Sequence, residues 1–298
     1  MTKCATTAVI GRPSVGKSTL INTICESKVS ITSPTPNTTR NAIRGIYTDS
    51  RGQIIFTDTP GYHISEKKFN KHMIDIARES LEECDSVLYI VDATRAPGDE
   101  ENAVSSLLST LKVPVICCIN KADIAREEQK KMAREYLERT MPSRVILEIS
   151  ATEDHGVDEV LIELFKVAPE GPLLYGEDQR TDQDLEFRVS EIIREKAMNS
   201  VHAEIPHSIF VEISDLEYNR EENKVWIRAF ITVERESQKG IVVGKGGANI
   251  KKIRVQSFKE IKRIFPSSSL ELDLRVRVNS KWKSNDFILH NVFRETQE

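Results

Sequence analysis

Hydrophobic and polar positions along the chain follow two patterns, and the change falls after residue 168. Up to that point short apolar runs alternate with stretches of helical spacing. Ala5–Ile10, Asp85–Ala93, Val113–Ile119 and Arg144–Ile149 are too short for helices and rich in β-branched residues, so they read as buried strands. Ser18–Cys25, Phe69–Leu81, Glu101–Leu111 and Val157–Val167 carry apolar residues three and four apart and read as amphipathic helices. Ile124–Thr140 reads as a further helix whose Arg/Glu/Lys run is a solvated face. Ala42–Thr48 and Gln53–Thr57 alternate around Asp49-Ser50-Arg51-Gly52, the pattern of a β-hairpin. Strands that alternate with helices predict an α/β fold with a mostly parallel sheet covered on both faces, and the hairpin supplies one antiparallel edge.

Residues 169–184 are rich in Pro, Gly and polar residues and read as a linker. Beyond it the order changes. Leu185–Val201 reads as a helix, Ser208–Leu216 and Val225–Val233 as strands, Gln238–Val243 and Ala248–Phe265 as helices, and Leu270–Val278 as a strand. The division is therefore residues 1–168, a linker at 169–184, and a smaller α+β domain at 185–298 with the order α-β-β-α-α-β.

Two short sequences carry chemistry in the first domain. Gly11-Arg12-Pro13-Ser14-Val15-Gly16-Lys17-Ser18 fits G-x-x-x-x-G-K-[ST] between a strand and a helix, the context of a phosphate-cradling loop. Its backbone N–H groups and the helix N-terminus suit phosphate, Lys17 suits the β- and γ-phosphates, and the Ser18 hydroxyl suits Mg²⁺. Asn120-Lys121-Ala122-Asp123 closes a predicted strand. An Asp there can accept from both the ring N–H and the exocyclic amine of guanine, a donor pair that adenine lacks, and such sites discriminate by about 10⁴-fold or more. Asn120 would bond the base and tie loops together, and the Lys121 stem would lie over the ring. Ser150-Ala151 follows the last strand, where backbone amides could meet the guanine oxygen.

Between these lies Asp58-Thr59-Pro60-Gly61, a carboxylate at a strand end followed by a turn that brings the Gly61 N–H to a γ-phosphate. Val29–Arg44 is a long polar loop containing Thr38-Thr39-Arg40. The residue after Gly61 is Tyr62, not a glutamine that would orient water. Slow intrinsic hydrolysis, accelerated by a partner, is the expectation.

Charge matters in one place. The net charge of −4 hides a local +7 over residues 237–265, so the remainder carries −11. That basic stretch holds Gly244-Lys245-Gly246-Gly247 and then Lys251 and Lys252, with Ile250, Ile253, Phe258, Ile261 and Ile264 on one helical face. Arg254 falls toward the apolar side of the wheel, where a charge is unexplained. A glycine loop admits a nucleic-acid backbone and a basic face supplies phosphate contacts. Trp226 and Trp282 fit core packing better than base stacking. The five cysteines form no C-x-x-C pair and read as core thiols of a reducing cytosol. The first strand starts too near Met1 for a signal peptide, and no apolar run reaches a membrane span.

Residues 5–168 resemble the translation-factor-like small GTPases, with all five motifs in order. Residues 185–298 are similar to type II KH domains, through V-V-G-K-G-G-A-N-I and the element order. The resemblance implies an α/β P-loop GTPase domain followed by a type II KH domain. It further implies that Ser18 and Thr39 hold Mg²⁺, with Asp58 acting through water, and that Lys17, Thr39, Gly61 and Tyr62 serve catalysis. Ser14 stands where relatives commonly carry Asn linked to potassium-assisted hydrolysis, which puts potassium in doubt here. The group implied is one whose KH domain binds small-subunit (16S) ribosomal RNA during ribosome assembly, with loose association to the inner membrane, a cytoplasmic location and a monomeric state. Two alternatives stay open on the sequence. One is an RNA-binding module with a structural, rarely hydrolysed nucleotide; the other is a GTPase acting at membranes or on tRNA.

Overall fold

A computed structural model describes residues 2–33, 35, 38–61, 68–280, 282–285, 288, 289 and 292, with the backbone alone for 68–74 and 284. The chain divides into two compact units, Met1–Thr32 with Thr39–Asp182, and Ser33–Thr38 with Gln183–Glu298.

In the first unit the order is β1 (Lys3–Ile10), α1 (Lys17–Ile24), β2 (Ile43–Asp49), β3 (Gly52–Asp58), α2 (Lys68–Glu82), β4 (Ser86–Asp92), α3 (Asp99–Ser109), β5 (Val115–Asn120), α4 (Glu127–Thr140), β6 (Val145–Glu148) and α5 (Val157–Val167). The six-stranded sheet runs β2-β3-β1-β4-β5-β6, and its pairings are parallel except β2 with β3. β4 and β5 are buried along their whole length, which is why they read as unbroken apolar runs. Ile10, Tyr89, Val104, Leu108 and Leu137 lie in one core cluster of this unit. Helix α4 starts three residues later than its charge pattern predicts. Residues 121–126 are taken up by a turn, and the helix opens where the Arg126 N–H donates to Gln129 Oε1 at 2.9 Å.

Residues 169–182, expected as a linker, lie in this first unit. One reason is a buried polar side chain. Gln53 Oε1 accepts from the N–H groups of Leu174 and Tyr175, both at 3.0 Å, and its Nε2 donates to the Tyr175 carbonyl at 3.1 Å. The free edge of β2 is also used, since the Ile46 N–H donates to the Arg180 carbonyl at 2.9 Å. A Pro/Gly-rich segment is thus ordered by strand-edge and side-chain amide bonds that composition does not reveal.

The second unit contains α6 (Leu185–Met198), α7 (Ile205–Ser208), β7 (Phe210–Asn219), β8 (Lys224–Val233), α8 (Glu236–Val243), a 3₁₀ turn (Lys245–Gly247), α9 (Ala248–Ile264), β9 (Ser269–Val278) and a second 3₁₀ turn (Trp282–Ser284). The sheet order is β7-β8-β9, antiparallel then parallel. Asp184 caps α6, its Oδ1 accepting from the Phe187 N–H at 2.8 Å. The short helix α7, with Pro206 in its first turn, has no counterpart in the sequence reading, and α6 ends before Asn199. Val225, Ile227, Ala229 and Ile231 alternate into a core shared with Ile193, Ile253 and Ile261. Arg254 now has its explanation: Nε donates to the Leu272 carbonyl at 2.9 Å, so it reaches past the apolar face to a strand. Trp282 is fully buried with Nε1 donating to the Ser208 carbonyl at 3.0 Å, whereas Trp226 is half-buried with the Arg228 guanidinium 4.7 Å over its ring. Cys25, Cys117 and Cys118 are buried free thiols. Among the described residues no helix is long and apolar enough to cross a membrane.

Candidate functional site

The parallel strands of the first unit deliver their motifs to one edge of the sheet, since each motif follows a carboxyl end. Gly11–Ser18 follows β1, Asp58 ends β3, Asp92 ends β4, Asn120 ends β5, and Ser150 comes two residues after β6. The phosphate loop needs glycine at position 16. Gly16 has φ +102°, and a Cβ there would sit 2.4 Å from Asn120 Nδ2. Lys17 is buried, and its ammonium donates to the loop carbonyls of Gly11 and Arg12, both at 3.1 Å. Burial pulls its pKa down to about 8 against the attraction of Asp58, with the Arg12 charge adding to the fall. An ammonium held inside a loop of N–H groups is a site for anionic oxygen.

Beside it three oxygen-bearing side chains meet. Ser18 Oγ donates to Asp58 Oδ2 at 2.7 Å and lies 3.0 Å from Thr39 Oγ1, which is 3.3 Å from the same carboxylate oxygen. Asp58 is fully buried, and its Oδ1 has no hydrogen-bond partner. Burial raises the Asp58 pKa, opposed by Lys17 and by the Ser18 and Thr39 hydroxyls. An orphaned buried acceptor costs about 1–3 kcal/mol. A set of carboxylate and hydroxyl oxygens with one acceptor unfilled fits a hard divalent cation such as Mg²⁺. Thr38, the neighbouring threonine, faces elsewhere: its Oγ1 donates to the Thr35 carbonyl at 2.6 Å, and its carbonyl accepts from buried Arg194 at 2.6 Å within the second unit. The Thr59 hydroxyl donates to the Val9 carbonyl at 2.7 Å, which anchors the Asp58–Gly61 turn to β1. Gly61 lies against Pro13, where a Cβ would come within 2.7 Å of the proline ring. Tyr62 lies outside the described residues.

Asn120 is the tie that the base loop needs. Its Nδ2 donates to the Val15 carbonyl at 2.8 Å and its Oδ1 accepts from the Ala151 N–H at 3.0 Å. Thr23 Oγ1 joins the same knot through the Ala151 carbonyl at 2.7 Å. Lys121 donates to the Ser14 carbonyl at 2.9 Å. Asp123 is exposed, which suits a carboxylate that reads a ligand. The Ser150 and Ala151 amides, expected near the guanine oxygen, each have an acceptor inside the chain, the His155 carbonyl at 2.9 Å and Asn120 Oδ1 respectively. Arg12, expected among the nucleotide ligands, points its side chain away, with Nε 2.5 Å from Glu101 and Nη2 3.3 Å from Asp92. Its backbone alone belongs to the phosphate loop. Asp92 and Glu101 sit in no motif, and only the strand register brings them here.

The second unit presents a different kind of surface. In the Gly244–Gly247 turn Gly244 has φ +75°, and a Cβ would lie 2.7 Å from Asn249 Cβ. Asn249 Nδ2 donates to the Val242 carbonyl at 3.1 Å and to the Ile241 carbonyl and the Ser200 hydroxyl, both at 3.3 Å, bracing the turn on the end of α8. At Gly246 and Gly247 an added Cβ would meet nothing within 4 Å, so the loop is open to an approaching backbone. Lys245, Lys251, Lys252, Lys259 and Arg263 are exposed, and among the described residues no ion pair engages them. The one acid of the basic stretch, Glu260, is drawn onto Lys196 of α6, which leaves the outer face of α9 basic.

A P-loop nucleotide domain with a guanine-type base loop, followed by a KH domain, is the class that this fold and these sites define. Comparison with known proteins agrees. Residues 6–121 match the family model described as 50S ribosome-binding GTPase, and residues 204–283 match the KH domain model. The chain is 47% identical to GTPase Era of Treponema denticola, over 95% of this chain and 97% of that protein. It is 42% identical to GTPase Era of Borreliella burgdorferi over 95% and 96%. Among solved structures it is similar to Era in complex with MgGDPNP and nucleotides 1506–1542 of 16S ribosomal RNA, at TM-score 0.92 and 34% identity, covering 98% of this chain and 99% of that one. It is likewise similar to an Aquifex aeolicus Era tyrosine-to-alanine variant bound to GDP and AlF4⁻, at TM-score 0.91, 34% identity and 98% coverage of each. The chain belongs to the Era family of GTPases.

Proposed function

We propose that this chain binds GTP with Mg²⁺, hydrolyses it slowly to GDP and phosphate, and binds the 16S ribosomal RNA of the small subunit through its KH domain during ribosome biogenesis. The observation that carries the reading is the Ser18–Thr39–Asp58 oxygen cluster beside Lys17, in a chain of the family whose solved relative holds MgGDPNP and 16S RNA. The loop amides of Gly11–Ser18 and the Lys17 ammonium hold the phosphates. Ser18 and Thr39 would hold the metal, with Asp58 acting on it through water, and the metal would draw negative charge off the β- and γ-phosphate oxygens. Asp123 selects guanine, and Asn120 fixes the loop that carries it. In hydrolysis a water oxygen bonds to the γ-phosphorus as the bridging oxygen leaves with GDP, and the water proton ends on the released phosphate. Lys17 stabilises the charge that develops, and the Gly61 N–H donates to the γ-phosphate. No glutamine follows Gly61, which favours a slow intrinsic rate that a partner raises.

Gly244–Gly247 with Lys245, Lys251 and Lys252 take the RNA backbone. GTP orders the segment at Thr39 and the turn at Asp58–Gly61, and its loss releases both, altering RNA access. RNA affinity measured with GDP and with a non-hydrolysable GTP analogue tests the switch. A difference of several-fold is expected, and equal affinities overturn it. A cytoplasmic, monomeric protein with peripheral attachment to the inner membrane completes the proposal; sedimentation with anionic vesicles and light scattering test those parts.

A further inference from the structure

One buried carboxylate at the strand ends belongs to none of the nucleotide motifs. Asp92 closes β4, is 3% exposed, and pairs in register with Asn120 at the end of β5. Its Oδ1 accepts from the Thr94 N–H at 2.8 Å and from the Thr94 hydroxyl at 2.6 Å, which fixes the plane of the carboxylate. Its Oδ2 accepts from the Lys121 ammonium at 2.7 Å and from the Arg12 guanidinium at 3.3 Å. The same Lys121 ammonium reaches the Ser14 carbonyl at 2.9 Å. Ser14 and Lys121 have φ of +64° and +65°, a left-handed conformation that non-glycine residues rarely adopt. Two strained backbone positions, one in the phosphate loop and one in the base loop, are therefore joined by one ammonium, and Asp92 holds that ammonium.

We propose that Asp92 is a positioning residue for nucleotide binding: it keeps the Lys121 ammonium on the Ser14 carbonyl and so fixes the phosphate loop and the base loop as one surface. The inference rests on the guanine-nucleotide reading of the site. A nucleotide is held at two ends, by its phosphates and by its base, and the second contact is gained in full only when the spacing of the two loops is set beforehand. A flexible lysine does not set that spacing; a lysine pinned by a buried, oriented carboxylate does. Arg12 completes the brace from the other side, since Glu101 holds its Nε at 2.5 Å and thereby ties α3 to the same carboxylate.

Equilibrium binding of fluorescently labelled GDP with Mg²⁺, on the full chain, tests this with Asp92→Asn, Lys121→Met and the double variant. Asp92→Asn should weaken binding about tenfold, ~1.4 kcal/mol. Lys121→Met should weaken it by at least as much, and the double variant no further than Lys121→Met alone, because both substitutions break one link. The asparagine variant leaves no stranded buried charge, since Arg12 keeps Glu101 and the Lys121 side chain is 30% exposed. Should it nevertheless not fold, Thr94→Val serves in its place. It removes the hydroxyl that orients the carboxylate and should weaken binding about two- to threefold in the native background and not at all beside Lys121→Met. A purely structural Asp92 lowers Tm and leaves the Kd of the folded protein unchanged. A Kd within twofold of the unaltered chain, or a double variant whose loss is the product of the singles, overturns the proposal. If the unaltered chain binds no GDP, the nucleotide reading falls and this inference with it; if it binds and the variants bind equally well, only the role of Asp92 falls.

Discussion

The nucleotide site and the Gly244–Gly247 turn are both glycine loops with lysines, yet they are built in opposite ways. At the first site Lys17, Asn120 and Lys121 already have partners inside the chain, and Asp58 and Thr39 are buried. At the second, Lys245, Lys251 and Lys252 stand exposed, and two of the glycines face open space. The difference follows from the ligand. A small ligand of fixed shape rewards a cavity braced before it arrives. A long polyanion rewards many loose, screened charges whose contributions add.

That contrast can be broken first with salt. RNA affinity should fall by about 10³-fold between 50 and 200 mM salt if six or more phosphates are contacted. GDP affinity, set by buried groups, should move by no more than about threefold over the same range. Exchanging Lys245, Lys251 and Lys252 for alanine should flatten the RNA salt slope by about 2. Equal slopes for both ligands in a filter-binding or fluorescence titration would erase the distinction.

Substitution at single positions comes next. Lys17→Ala should cost about 10²–10³-fold in kcat/KM for GTP, the loss expected for a preorganised charge at the reacting phosphate, while RNA affinity in the absence of nucleotide stays within about twofold. Gly244→Ala should do the reverse. At φ +75°, with a Cβ 2.7 Å from that of Asn249, the turn must open, and RNA binding should weaken about tenfold with GDP binding intact.

The smallest effect is one of pH. The buried Lys17 ammonium has a pKa pulled down to about 8 by burial, and bound phosphates must raise it. Nucleotide binding therefore takes up a proton once pH exceeds about 8, so affinity falls as pH rises. The Kd for GDP should grow about five- to tenfold between pH 7.5 and 9. A flat profile would mean that Lys17 does not meet the phosphates.

Much of this was legible in the sequence wherever the chemistry depends on consecutive residues. Gly11–Ser18, Asp58–Gly61, Asn120–Asp123 and Gly244–Gly247 each carry their geometry in their own short stretch. What depends on residues far apart was not legible. Asp92 and Glu101 look like an ordinary strand end and an ordinary helix start, and only the β1–β4 and β4–β5 pairings bring them to Arg12 and Lys121. Arg254 falls on the apolar side of a helical wheel because a wheel does not contain the Leu272 carbonyl. Residues 169–182 have the composition of a linker, and the amide of Gln53, read as one polar position in an alternating strand, helps to order them together with backbone bonds such as Ile46 to Arg180.

A carboxylate that admits one purine, above a phosphate loop with its own lysine and metal ligands, is the central claim. Isothermal titration calorimetry of the full chain with Mg²⁺, using GDP and ADP in parallel, tests it most directly. One molar equivalent of GDP should bind with measurable heat and ADP should give none. Equal heats from the two, or none from GDP, would contradict it.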